Sequence, residues 1–176
     1  MIEIEYKGET YKRLDGQWVD SSFIVTTVPI QKALNQLYVD SIDVKTLDLE
    51  TLIKEGDSFK ATEDYSLAIR FYEEAMKKNC DRKTIIYLLP RISSCYRGNH
   101  NPQKAIECFS FVKRNYGADI LSPALLASAA AAYCDLKEYE NAMKCAKIAL
   151  AKSEEKADEN LLSVFSRIHK ERGKRW

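Results

Sequence analysis

Glycine, proline and histidine are scarce in this chain: 176 residues hold six Gly, four Pro and two His. So little Gly and Pro leaves hardly any material for linkers, and the length fits one domain, or one domain with a small attachment. No stretch approaches the roughly 20 apolar residues that a membrane helix needs. The opening MIEIEYKGETYKRL carries charges at alternate positions and no apolar run, so a signal peptide is not expected. Neither sign of charge is in excess: 27 Lys and Arg face 26 Asp and Glu, for a formal net charge of +1. That balance argues against a general affinity for nucleic acid or for an anionic membrane.

Catalytic signatures are also missing. There is no Gly-rich phosphate loop, no HExxH and no GxSxG. His100 falls in a turn and His169 on the last helix, without the neighbouring groups that general base chemistry requires. Cys80, Cys95, Cys108, Cys134 and Cys145 are odd in number and form no CxxC. Their separations suit neither a zinc ribbon nor a redox pair. Cys108 and Cys145 hold the same place in successive repeats, which reads as a buried small hydrophobe. Unpaired cysteines also suggest a reducing compartment, so a cytoplasmic location is expected. No catalytic residue, metal ligand or cofactor is expected, and the chain does not read as an enzyme.

What is present begins with alternation. Ile2 to Tyr6 alternate Ile-Glu-Ile-Glu-Tyr, the period of a strand with one buried face. Lys7-Gly8-Glu9 is a turn, residues 10–14 resume strand composition, and Asp15-Gly16 is a strong hairpin dipeptide before Gln17-Trp18-Val19. A three-stranded antiparallel meander follows, with Ile2, Ile4, Tyr6, Tyr11 and Trp18 as candidates for its packed side. Phe23 to Val28, FIVTTV, is either a fourth strand or an extended connector ended by Pro29. From Ile30 the spacing turns helical, with Ile30, Ala33, Leu34, Leu37 and Tyr38 on one face to about Val39. Residues 1–28, 29–47 and 48–176 therefore read as meander, linking helix with connector, and helical array.

The array repeats. Gly56, Phe59, Ala68, Tyr72 and Ala75 recur 37 residues on as Ser93, Tyr96, Ala105, Phe109 and Val112. They recur 37 residues further as Ala130, Tyr133, Ala142, Ala146 and Ala149. One packing recipe of small and aromatic residues used three times is the mark of a solenoid, whose units bury their apolar faces only against neighbours. Helices are expected over about 49–61, 65–78, 83–97, 102–115, from Ser122-Pro123 onward, and 139–152. Asp48 and Asp64 are expected caps, and Pro90 should bend the helix that contains it. A last helix over about 159–171 carries Leu161, Leu162, Val164, Phe165 and Ile168 and reads as the cap of an open end. The tail Lys170 to Trp176 is expected to fray.

These residues resemble tetratricopeptide repeats (TPR) over about 49–152. The first unit matches through Leu52, Gly56, Phe59, Asp64-Tyr65, Ala68-Ile69, Tyr72 and Ala75. The second keeps Leu89, Tyr96, Ala105-Ile106 and Phe109, and the third keeps Leu126, Tyr133, Tyr139, Ala142 and Ala149. The chain departs from the family in repeat length (about 34 residues is usual), in Ser93 for the usual Gly, in Ala146 for a large aromatic, and in lacking the terminal proline. The N-terminal β segment is outside the resemblance.

The resemblance implies a mainly α fold, a TPR-like helical-hairpin solenoid of three repeats with a capping helix, behind the small meander. It implies further that first helices line a concave face that binds peptides or partner helices. On this chain that face would show Glu50, Ile53, Lys54, Asp57 and Lys60, then Tyr87, Arg91, Ser94 and Arg97, then Ala124, Ala127, Ser128 and Ala131. Lys54, Lys60, Arg91 and Arg97 would make a basic trough for a carboxylate or an acidic segment; the same residues also read simply as solvated surface charges. Asp57 stands where the family's carboxylate clamp has Asn, so a chaperone-tail receptor is not implied. The expected function is a protein-binding adaptor. The alternative is a structural subunit that forms a homodimer or larger assembly through the β segment or an end helix. RNA binding through the same trough is disfavoured by the near-neutral charge.

Overall fold

A computed structural model describes residues 2–154 and 159–173 of the chain. The chain is mainly helical with a small N-terminal antiparallel sheet, and it divides into two units, Met1–Cys80 and Asp81–Trp176.

In the first unit, β1 (Ile2–Tyr6), β2 (Glu9–Leu14) and β3 (Gln17–Val19) form the expected meander in the order β1-β2-β3. Both two-residue loops have positive φ at both positions: Lys7 and Gly8 at 53° and 83°, Asp15 and Gly16 at 46° and 82°. This is the turn whose twist matches that of paired strands. The register pairs Ile4 with Tyr11 and stacks Ile2, Arg13 and Trp18 across the sheet. Tyr11 and Trp18 are buried as expected, but Ile2 is exposed and Ile4 and Tyr6 are only half-buried. A charged residue, Arg13, lies on the packed side instead.

Of FIVTTV, Ile24 to Thr27 form a connector. Phe23 takes a left-handed φ of 60°, and Val28 already opens the next helix, with Pro29 in its first turn rather than before it. A single bridge joins Val25 to Val19, with Thr26 N–H donating to Trp18 O and Asp20 N–H to Ile24 O, both at 3.0 Å. Helix α1 (Val28–Asp40) follows, and its buried face differs from the apolar stripe expected of it. Gln31, Leu34, Asn35, Tyr38 and Val39 face inward, while Leu37 is exposed. The reason is Trp18. Its N–H donates to Gln31 Oε1 (2.9 Å), its carbonyl accepts from Gln31 Nε2 (2.7 Å), and its indole Nε1 donates to Asn35 Oδ1 (2.9 Å). Buried donors and acceptors left unpaired are costly, so two amides displace a leucine from the inner face.

A 3-10 turn (Val44–Thr46) leads to α2 (Leu49–Ala61) and α3 (Tyr65–Lys77). Asp48 caps α2 by accepting from Thr51 N–H at 2.7 Å. Asp64 holds the cap position of α3 without a capping side-chain bond; its carboxylate lies 3.5 Å from Asn35 Nδ2. Phe59 and Phe71 meet edge to face at 4.9 Å in this unit's core.

The second unit contains α4 (Arg82–Gly98), α5 (Pro102–Tyr116), α6 (Pro123–Asp135), α7 (Tyr139–Lys152) and α8 (Glu159–Gly173). Asp81, Asn101 and Ser122 cap the first three of these with side-chain oxygens. Pro90 lies inside α4, where it has no N–H to offer the Ile86 carbonyl. Helix α6, apolar on nearly every side, packs against α4, α5, α7 and α8, the position such a helix requires. Helix α8 buries Leu161, Val164 and Ile168 against α6 and α7. The tail expected to fray from Lys170 onward instead continues α8 as far as Gly173, and Lys174 to Trp176 lie outside the described residues.

The three helical hairpins share one local geometry. Their first helices end at Ala61, Gly98 and Asp135, and their second helices start at Tyr65, Pro102 and Tyr139. Glu63, His100 and Lys137, 37 residues apart in sequence, take left-handed φ of 57°, 55° and 62°. The N–H of Asp64, Asn101 and Glu138 donates to the carbonyl of Phe59, Tyr96 and Tyr133, each at 2.8 Å. That bond closes a helix C-terminus over orphan carbonyls, here with no glycine at the left-handed position. Ala68, Ala105 and Ala142 are each the fourth residue of a second helix, and all three are fully buried.

Candidate functional site

Tyr87, Arg91, Ser94 and Arg97 sit along α4 at spacings of four, three and three, so they share one side of the helix. The Arg91 guanidinium lies 3.5 Å from the Tyr87 ring centroid, and Nη1 donates to the Tyr87 carbonyl at 3.2 Å. Arg91 is therefore laid along its own helix as a cation–aromatic pair. Arg97 reaches outward: its Nε donates to Asp135 Oδ2 at 2.9 Å, while Arg167 Nη2 on α8 donates to Oδ1 at 2.7 Å. One carboxylate at the end of α6 thus ties α4 to α8. Ser94 is half-buried.

On α2 in the first unit, Lys54 is exposed and Lys60 half-buried. Asp57 accepts a hydrogen bond from the Tyr72 hydroxyl, so it is committed within its own hairpin. On α6, Ala127 and Ala131 are buried, Ala124 is exposed, and Ser128 shares a 2.8 Å hydrogen bond with Ser93. The structure thus joins Arg91 to Tyr87 and Arg97 to Asp135 within the second unit, and it buries much of the α6 surface.

Two arrangements carry charge that sequence pattern did not single out. The first is a cleft of about 370 Å³ in the second unit, lined by Cys134, Asp135, Lys137, Tyr139, Arg167, Lys170 and Glu171. The available signal was the 37-residue spacing, which puts Lys137 at the left-handed turn position. The position of Arg167 across from Asp135 follows only from packing. Burial pushes the Cys134 thiol above its usual pKa; Arg167 and Arg97 pull it down and Asp135 pushes it up. A thiol so placed stays neutral at pH 7 and is a poor nucleophile.

The second is a buried cluster around Arg13. Its guanidinium pairs with Glu55, donates to Ser58 Oγ at 3.2 Å, and lies 4.4, 5.4 and 5.9 Å from the ring centroids of Tyr38, Phe59 and Trp18. Glu55 Oε2 meets Arg13 Nη2 in ion-pair range but outside good hydrogen-bond alignment, and Arg13 Nε has no hydrogen-bond partner among the described residues. Burial and then Glu55 raise the pKa of the Tyr38 phenol, and Arg13 lowers it in part. The cluster fastens β2 to α1 and α2, and with so little open surface its role is structural.

Among the described residues no group of three His, Cys, Asp or Glu is placed to hold a metal ion, and His100 and His169 are exposed. Among those residues, too, no helix is long and apolar enough to cross a membrane. No family model matches the chain, and no curated protein matches it.

Proposed function

We propose that this chain is a TPR-like helical-hairpin solenoid acting as an adaptor that binds an acidic segment of a partner protein. The repeat reading is supported by the left-handed turn shared by Glu63, His100 and Lys137, and by the equivalent burial of Ala68, Ala105 and Ala142. The binding reading is carried by the Arg91–Tyr87 pair on α4 with Arg97 on the same side. Arginine and tyrosine are the residue types that supply binding energy at protein interfaces. On the first hairpin, Lys54 and Lys60 present charge of the same sign.

Fluorescence anisotropy with a labelled octaglutamate peptide tests this. Binding should weaken on Arg91→Glu and fall steeply with added salt. Unchanged affinity in that variant would remove α4 as the surface.

A second reading, self-association, is favoured by one observation. Phe23, Ile24, Val25 and Val28 expose more than half of their surface along the connector, and contiguous apolar exposure marks interaction sites. Light scattering over a range of concentrations decides it, since a constant monomer mass excludes it.

A further inference from the structure

The geometry points to the cleft at the α6–α7 turn and α8 as an anion site that seats a carboxylate of a bound acidic segment. This rests on the adaptor reading above and gives it an anchoring point.

Four cations, Arg97, Lys137, Arg167 and Lys170, surround the cleft or reach its wall, against two carboxylates, Asp135 and Glu171. Asp135 is already shared. Each of its oxygens accepts from a different guanidinium, one from Arg97 and one from Arg167. Both guanidiniums are thereby fixed in direction and retain further N–H donors for a second acceptor. The ammonium groups of Lys137 and Lys170 are exposed and have no side-chain partner among the described residues. Cys134 in the lining is buried, and burial raises its thiol's pKa, so it adds no opposing charge at pH 7.

Size and position agree with a carboxylate carried on a chain. The cleft of about 370 Å³ holds many waters at about 30 Å³ each, enough for a carboxylate and the residue that bears it. Tyr139 completes the lining. Arg97 lies on the Tyr87–Arg91 side of α4 and also binds Asp135, so the cleft continues the candidate surface.

Two measurements on the full chain test the site separately from the adaptor reading. In the first, NMR follows backbone amides during titration with glutarate and, in parallel, with inorganic phosphate. Saturable shifts at Cys134, Lys137, Tyr139 and Arg167 with glutarate support the site. No shifts there overturn it, and shifts with phosphate alone overturn its assignment to a carboxylate. In the second, octaglutamate binding is compared between wild type and Lys137→Glu/Lys170→Glu, two exposed positions whose change should leave the melting curve in place. Weakening on the order of tenfold is expected from reversing two charges beside a bound anion. Undiminished binding would overturn the cleft while leaving α4 standing. Glutarate shifts without any octaglutamate binding would retain the cleft and remove the adaptor reading.

Discussion

The ring of Tyr72 occupies the space that a side chain at Gly56 would need. A Cβ at residue 56 would fall 2.6 Å from Tyr72 Cε1 and 2.7 Å from Cδ1. The ring has little room to withdraw, since it is fully buried and its hydroxyl is held by Asp57 one residue along α2. Gly56→Ala should therefore destabilise the chain, with overpacking of about 1–3 kcal/mol set against a helix-propensity gain of about 1 kcal/mol. Urea denaturation measures the balance, and a variant more stable than wild type would contradict the close contact.

Trp18 depends on amides for its polar atoms. Asn35→Leu leaves the indole N–H without its acceptor in a fully buried site, which should cost about 1–3 kcal/mol. The exposed Gln36→Ala, which loses only a bond to Asp40, should stay within about 0.5 kcal/mol. Thermal melts of the two variants, followed by Trp fluorescence, compare them directly, and equal stability would exclude the proposed role of Asn35.

Arg13 and Glu55 form a buried pair with side-chain exposures of 4% and 14%. Removing either partner leaves a buried charge, so Arg13→Met and Glu55→Gln should each cost about 3–5 kcal/mol. The double variant Arg13→Met/Glu55→Gln should lose less than the sum of the two. A double-mutant cycle by chemical denaturation gives the coupling; strictly additive losses would mean that the two side chains act independently.

Thiol labelling under native conditions should separate the cysteines. Cys80 and Cys108 are half-buried and should react first, while Cys95, Cys134 and Cys145 are buried and should wait for opening. Cys108 is thus less enclosed than its repeat counterpart Cys145, contrary to the expectation that both are core. Burial raises the Cys145 thiol above its ordinary value of 9.0, with Lys113 opposing. A raised acid pKa means that the folded state keeps its proton longer, so this stability is fully present below 9.0 and is lost as pH rises through the folded value. Cys145→Ala should flatten the alkaline limb of the stability profile, and an unchanged limb would rule the thiol out as its source.

Helix limits were legible because their causes are local. Asp48 and Ser122 supply capping oxygens, and Pro102 and Pro123 sit where a helix has N–H groups to spare. Asp64, also expected to cap, makes no capping side-chain bond, whereas Asn101, which does cap, reads from the sequence only as turn. The hairpin closures were legible only as a spacing. Non-glycine residues take the left-handed position, so no residue type marked it.

The candidate site was less readable. Arg91 and Arg97 stand out as charges on a helix face, but a sequence cannot say that one will fold onto Tyr87 and the other onto Asp135. The inner face of α1 was misread for a related reason. Leu37 is the better apolar residue, but Gln31 and Asn35 are the ones with atoms to satisfy Trp18.

By itself the sequence determined the elements: strands from alternation, helices from periodic apolar residues and caps, and one hairpin form at 37-residue intervals, because these depend on neighbours a few residues away. Tertiary structure alone decided which charges meet. Arg13 with Glu55, and Arg97 and Arg167 with Asp135, are joined across 32 to 42 positions. Such pairs depend on how whole elements pack, which no local pattern encodes.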